Sequence, residues 1–479
     1  MNTLDRLADV VQRQRAAFAA EPYPSLAVRL DRIDRLRRLV TDGEERIRVA
    51  MQADFGSLHP AMVVMLDTLP VIDRVAHFEA NLERWLEPEA VPLGDVHGSS
   101  VGQILRVPKG VMGNIAPWNF PIESALVMAV DMLAAGNRVV VKPSELAPAT
   151  SATLAALVGE YFAEEELAVV EGGVEVAEAF ARTVWDHLTY TGGGRVGRLV
   201  AQAAAANLVP VTLELGGKNP ALFAPDGVDD TLIGRFLAFR SLKAGQICTS
   251  PDYVLVPRAQ LDTWVAAARR IWSGWYPRWV GHPDITGIIN ARHVDRLLGY
   301  LVEATARGVS IVGLNDDLPD PPARLLPMTL VVDPPADLGC MVDEVFGPIV
   351  PVVPYDTIDE AFARINAGPA PLGAYLATYD DELADRFAFT VRSGGTGINT
   401  FGLQGGHAAL PFGGVGASGS GCHSGHAGFL NYSHTKSVFR GADDSFVHQV
   451  ILPPFTPGPA DPPTPEPADP ATTQEAEHG

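Results

Sequence analysis

Hydrophobic positions in the first part of the chain recur at helical spacing. Leu26, Leu30, Ile33, Leu36 and Val40 stand three or four apart, with arginines and aspartates between them. That period predicts helices over residues 1 to about 86. Residues 101–116 read as strand, through Val101, Ile104 and Val107 and then Val111, Met112 and Ile115. A regular alternation follows: helix 122–135, strand 138–141, helix 150–162, strand 167–170, helix 174–182, strand 187–191, helix 194–206 and strand 209–213. Strands alternating with helices of this length predict a parallel sheet covered by helices, with ligands bound outside the carboxyl ends of its strands. A second α/β pattern includes helix 232–242, strand 253–256, helix 260–275 and strands 349–353 and 396–399. Residues 402–428 are rich in glycine. From 453 on the chain is Pro, Ala, Thr, Asp and Glu, a composition too poor in apolar residues to fold, so 453–479 is expected to be a disordered tail.

At 479 residues the chain exceeds what one core usually serves, so more than one domain is expected. Acidic residues outnumber basic ones 57 to 36, a formal charge of −21, which argues against a nucleic-acid partner. No uncharged apolar run is long enough to predict a membrane span. Asp5, Arg6, Asp9, Arg13 and Arg15 interrupt any signal-peptide core. The three cysteines, Cys248, Cys340 and Cys422, make no disulfide framework, and a cytoplasmic location fits them.

Three residues carry candidate chemistry. Cys248 lies in Ala-Gly-Gln-Ile-Cys-Thr. A lone cysteine is most often a small buried hydrophobe, but Gly245 allows a tight backbone path that can present a thiol to a cleft. A thiolate attacks carbonyls well once activated. Glu214 follows the apolar run 209–213 and precedes a double glycine, which suits either a general base or a solvated charge at a turn. Asn119 lies in Pro-Trp-Asn-Phe-Pro, as an oxyanion donor or as a turn residue satisfying its own backbone.

Taken together, the motifs resemble the aldehyde dehydrogenase superfamily over about residues 1–450. They are Pro117-Trp-Asn-Phe-Pro121, Lys142-Pro-Ser-Glu145, Leu213-Glu-Leu-Gly-Gly-Lys218, Gly245-Gln-Ile-Cys248, Glu344-Val-Phe-Gly-Pro348 and Pro411-Phe-Gly-Gly-Val-Gly-Ala-Ser-Gly419. Ala-Glu-Pro-Tyr-Pro-Ser at 20–25 is most similar to the coniferyl aldehyde dehydrogenase branch. The resemblance implies an α/β fold with two parallel-sheet domains and a small oligomerisation arm. Residues 1–213 would form a Rossmann-like NAD-binding domain, with oligomerisation strands near 98–108. Residues 214–410 would form the catalytic domain, and 411–452 a return segment with a C-terminal oligomerisation strand. It implies Cys248 as nucleophile, Asn119 and the Cys248 N–H as oxyanion hole, and Glu214 as the base that activates water against a thioester. Lys142 and Glu145 would face the adenosine ribose, Glu344 the nicotinamide ribose and Phe346 the nicotinamide. Ile115, Pro117, Trp118, Thr191, Gly192, Gly193, Val196, Gly197 and Leu215 would complete the cofactor site, with the pyrophosphate at the helix opening in Thr191-Gly-Gly-Gly-Arg-Val-Gly197. Glu145 favours NAD by repelling a 2′-phosphate, although relatives include members that take NADP. A homodimer acting on an aromatic or medium-chain aldehyde is implied.

Two positions depart from the family pattern. Gly193 stands where a serine is usual, and Lys243 where an asparagine is usual, five residues before the nucleophile. Lys243 is expected to be a solvated lysine; the alternative is an ammonium that lowers the Cys248 pKa. Cys422, His423 and His426 lie close together but lack a fourth zinc ligand, so no metal is expected. Rival activities are coenzyme A-dependent or reductive chemistry on the same scaffold, against which Glu214 argues, and an inactive binding or structural protein.

Overall fold

The computed structural model describes residues 2–453; the tail expected from 453 on lies outside them except for Pro453. Two units separate by their internal contacts: residues 2–86 with 106–434, and residues 87–105 with the described residues from 435 on. The first part is helical as expected, through Thr3–Ala20, Leu26–Asp42, Glu44–Phe55, Pro60–Val63 and Leu69–Leu86. The last two are joined by a single π-turn, Val64–Thr68, which buries Asp67 and Thr68. Isolated π-turns of this kind often mark functional sites. Among the described residues no single helix is long and apolar enough to cross a membrane.

The larger unit holds two sheets. The six-stranded sheet runs in the order Gly419–Ser420, Val211–Leu215, His187–Gly192, Val111–Ile115, Arg138–Lys142 and Leu167–Val169. Its pairings are parallel except at Gly419–Ser420. The chain starts at the central strand Val111–Ile115, builds outward to one side, then returns to build the other. That reversal leaves a crevice at the carboxyl ends of Val111–Ile115 and His187–Gly192, where open α/β sheets bind ligands. Helix Glu123–Ala134 is buried along its whole length except at Glu123. The expected border at 213 falls inside the strand Val211–Leu215, and Gly419 returns to pair with Glu214.

The seven-stranded sheet runs Ser310–Gly313, Thr329–Val332, Ile349–Tyr355, Tyr253–Pro257, Pro220–Phe223, Gly373–Ala377 and Gly395–Ile398, with only the first pairing antiparallel. Asp229 starts the helix Asp230–Ser241 by accepting from the N–H groups of Thr231 (2.7 Å) and Leu232 (3.0 Å). That helix delivers the chain to Cys248. A three-stranded sheet orders Glu89–Val91, Val101–Pro108 and Ser433–Arg440, most of whose residues fall in the second unit. Ser433–Arg440 is an edge strand, exposed along most of its length.

Candidate active site

Cys248 follows a left-handed turn. Lys243, Ala244 and Gly245 have φ of 46°, 53° and 74° in succession. Two non-glycine residues in this region are costly, and such strain persists only where surrounding contacts impose it. Here they do. Gln246 donates from its side chain to the Lys243 carbonyl (2.9 Å) and the Gly287 carbonyl (3.0 Å), and accepts from the Ile289 N–H (3.1 Å). Asn219 donates to the carbonyls of Cys248 (2.7 Å) and Ser250 (3.0 Å). Buried Arg240 ties Ser250 to the Ile349 carbonyl, at 2.9 and 2.8 Å. Cys248 so held is free and, taken as a whole residue, partly exposed, which sets it apart from buried Cys340. Burial and the nearby carboxylates of Glu344, Glu123 and Glu214 all push the thiol pKa up, so the resting side chain is a thiol.

Asn119 is buried, and its amide donates to the Gln246 carbonyl at 3.0 Å. A turn asparagine satisfying its own backbone is thereby ruled out: the side chain reaches across to the nucleophile's turn. Its NH₂ group has a second hydrogen for an acceptor at Cys248.

Glu214 lies inside the strand Val211–Leu215, not at a turn beyond it, and is 3% exposed. The strand continues two residues beyond the apolar run, and Glu214 is among its buried positions. Neither Glu214 oxygen has a hydrogen-bond partner. Burial without a partner raises its pKa well above the usual carboxylate value. Unpartnered buried carboxylates are rare enough to mark function.

The candidate cofactor residues collect at the strand ends beside the crevice. Ile115, Lys142, Gly192 and Leu215 are the last residues of four adjacent strands. Pro117 and Trp118 continue from the first of these; Gly193, Val196 and Gly197 open the helix Gly194–Ala205. A Cβ on Gly197 would stand 2.7 Å from Leu215, so glycine lets this helix lie against the strand end. Lys142 is buried, donating to Glu145 at 3.0 Å, and Glu145 itself is exposed. Thr191 carries a buried hydroxyl without a partner. From the other sheet, Glu344 accepts from the Gly217 N–H at 3.2 Å, and burial beside Asp252 pushes its pKa up to about 8. Phe346, at φ 46°, stands edge-on to Trp118 with ring centroids 5.4 Å apart. An orphaned hydroxyl, a helix N-terminus, a buried lysine and an aromatic pair fit a dinucleotide laid across the crevice.

The aldehyde dehydrogenase family model matches residues 3–438. A coniferyl aldehyde dehydrogenase of Pseudomonas sp. is 37% identical over 442 residues, 91% of this chain and 90% of that protein. The substrate-bound structure of Staphylococcus aureus AldH superposes with a TM-score of 0.87 at 29% identity, covering 91% of this chain and 94% of that one. A Mycobacterium tuberculosis aldehyde dehydrogenase complexed with NAD+ gives 0.80 at 27% identity, with 90% of each chain covered. The chain belongs to the aldehyde dehydrogenase family. It is an NAD(P)-dependent oxidoreductase that oxidises aldehydes, with an NAD-binding Rossmann-like fold.

The two departures from the family pattern have structural consequences. Gly193 has φ −70°, and a Cβ there would meet nothing within 4 Å, so the backbone does not demand glycine. Lys243 is fully buried, which overturns the expectation of a solvated lysine. Asp67 and Glu123 were not among the sequence candidates, yet both lie at this site; burial pushes Glu123 up to about 7. Nothing in their local sequence marks them, because a π-turn and one partly exposed helix position set their roles. Arg240, Asn219 and Gln246 were likewise missed, being ordinary polar residues until the fold surrounds them. Of the suspected metal group, His423 is engaged by Ser424 at 3.1 Å and His426 stacks on Trp85. Among the described residues no group of three or more metal-ligating side chains is arranged around a point.

Proposed function

We propose that Cys248 is the nucleophile, Asn119 and the Cys248 N–H the oxyanion hole, and Glu214 the general base. The convergence of a free cysteine held behind a strained turn, an amide tied to that turn and an orphaned carboxylate carries this reading. The resting thiol releases its proton to solvent water as the sulfur adds to the aldehyde carbon. Asn119 and the Cys248 N–H stabilise the oxygen as it gains charge. A nicotinamide, when bound, would supply the hydride acceptor; loss of that hydride from the adduct leaves a thioester on Cys248. Glu214 then removes a proton from water as that water attacks the thioester, and the carboxylate product departs with Cys248 restored. Lys142 and Glu145 would hold the adenosine ribose, Thr191, Gly192, Gly193, Val196, Gly197 and Leu215 the pyrophosphate side, and Glu344 the nicotinamide ribose. Ile115, Pro117, Trp118 and Phe346 line the crevice. Glu145, an exposed carboxylate at the ribose, favours NAD over NADP.

The substrate we propose is an aromatic aldehyde of the coniferyl kind. Sequence similarity to the Pseudomonas enzyme supports it, as do the partly exposed rings of Trp118 and Phe120 on either side of Asn119. The protein is proposed to be cytoplasmic and homodimeric, pairing through the Ser433–Arg440 edge. The deciding experiment is a steady-state screen of kcat/KM over aromatic and aliphatic aldehydes with NAD and with NADP. Aromatic aldehydes with NAD are expected to lead. A requirement for coenzyme A, or inactivity of the whole panel, would overturn the reading.

A further inference from the structure

Lys243 has every feature of a residue that ought to destabilise the fold. It is fully buried, in a left-handed conformation, five residues before the nucleophile. Yet each side of its ammonium is occupied. It donates to Asp67 Oδ2 at 2.6 Å and to the Asn119 carbonyl at 2.6 Å, and the Phe120 ring lies 3.7 Å below it. Asp67, also fully buried, accepts from the Glu123 N–H at 3.5 Å, so the same carboxylate touches the start of the helix that follows Asn119. The bonds run both ways between two loops. Asn119 donates its amide to Gln246, while Lys243, three residues before Gln246, donates to the Asn119 carbonyl. One loop leaves the six-stranded sheet and the other approaches the seven-stranded sheet.

We propose that the Lys243–Asp67 pair is a clasp that positions Asn119 over Cys248, setting the oxyanion hole rather than activating the thiol. This rests on the proposed role of Asn119. A paired ammonium presents little net charge to the sulfur, because Asp67 neutralises it at contact distance. A hydrogen bond to the Asn119 carbonyl, by contrast, fixes the peptide from which the amide donor projects. A small misplacement of that donor weakens transition-state stabilisation steeply.

Two reactions of Cys248 separate the roles, and neither needs nicotinamide. Acylation by p-nitrophenyl acetate passes through an oxyanion; alkylation by iodoacetamide does not. Lys243→Met is expected to slow acylation by about tenfold or more, the scale of a weakened oxyanion donor. Alkylation, measured against pH, is expected to keep its rate and its apparent pKa. Since Lys243→Met strands a buried carboxylate, the neutral double variant Lys243→Met/Asp67→Asn is the companion. It should fold, because removing both charges of a buried pair is often tolerated, and still acylate slowly. In an Asn119→Ala background, Lys243→Met should cost nothing further. The clasp is overturned if alkylation slows by the same factor as acylation, if the neutral double variant acylates at the wild-type rate, or if Lys243→Met costs as much without Asn119 as with it. If Asn119→Ala alone leaves acylation unchanged, the oxyanion assignment itself falls, and the clasp with it.

Discussion

Both oxygens of Glu214 are buried without partners, so this residue is held at a cost to the folded state. Its folded pKa is raised above the unfolded value, which makes the neutral form the favoured one. The stability tied to that form is complete below the unfolded pKa of about 4.3 and is lost as pH rises through the folded pKa. Glu214→Gln is therefore expected to raise the melting temperature near neutrality and above, by an amount reflecting about 1–3 kcal/mol, with the gain fading towards pH 4. The same variant should lose turnover by about 10²-fold or more while a single burst of NADH remains, because only thioester hydrolysis needs the base. Stopped-flow absorbance and pH-resolved thermal melts check the two halves separately. At Gly193 the expectation runs the other way. The open space at its Cβ lets Gly193→Ser add a hydroxyl facing the pyrophosphate side. Tighter NAD binding by about 1 kcal/mol, near fivefold in Kd, is expected by calorimetry.

The turn before Cys248 is the element on which the site depends. Gly245 combines φ +74° with a neighbour that cannot move: a Cβ there would stand 2.7 Å from the Gly347 carbonyl. Gly245→Ala must therefore displace either the nucleophile or the loop carrying Glu344 and Phe346. It is expected to cost more than the 1–2 kcal/mol of a left-handed residue alone, and to lower kcat and raise the KM for NAD together. Thermal melts and initial rates read both effects; an active, stable variant would show that the two loops are not coupled. The π-turn Val64–Thr68 is the partner element, since it alone turns Asp67 inward to Lys243. The sequence reading took residues 1 to about 86 as helical without separating the helices on either side of it. The π-turn itself was illegible, because one extra residue in a helical turn leaves the apolar spacing almost unchanged.

At the scale of the molecule, the Ser433–Arg440 strand leaves one edge of a three-stranded sheet without a neighbour among the described residues. Exposed edges invite pairing with another chain. Phe439 is 49% exposed on this strand, and Lys436 and Ser437 are exposed beside it. In the proposed homodimer, Ser437→Pro should remove a ladder donor and shift the protein from dimer to monomer by analytical ultracentrifugation. An unchanged dimer would place the interface elsewhere.

Much of this protein could be read from its sequence. The alternation of apolar strands and helices over 111–215 follows directly from backbone geometry, and it anticipated five strands of the six-stranded sheet; Gly419–Ser420 lay in the stretch read only as glycine-rich, and Val101–Pro108, read together with 111–116, belongs to the three-stranded sheet. Strands such as Pro220–Phe223 and Gly373–Ala377 were not legible, being short and built partly of proline, glycine and alanine, so that only their neighbours make them strands. Cys248, Asn119 and Glu214 were named from motifs whose chemistry is local. Their states were decided by tertiary structure: Glu214 by a strand that continues past its apolar run, Asn119 by a carbonyl 127 positions away, Lys243 by a buried aspartate 176 positions away. Residue type and spacing determine which chemistry a side chain can perform. Burial and the partners brought from distant segments determine its charge and orientation, because desolvation and hydrogen bonding depend on everything within a few ångströms, whatever its distance along the chain.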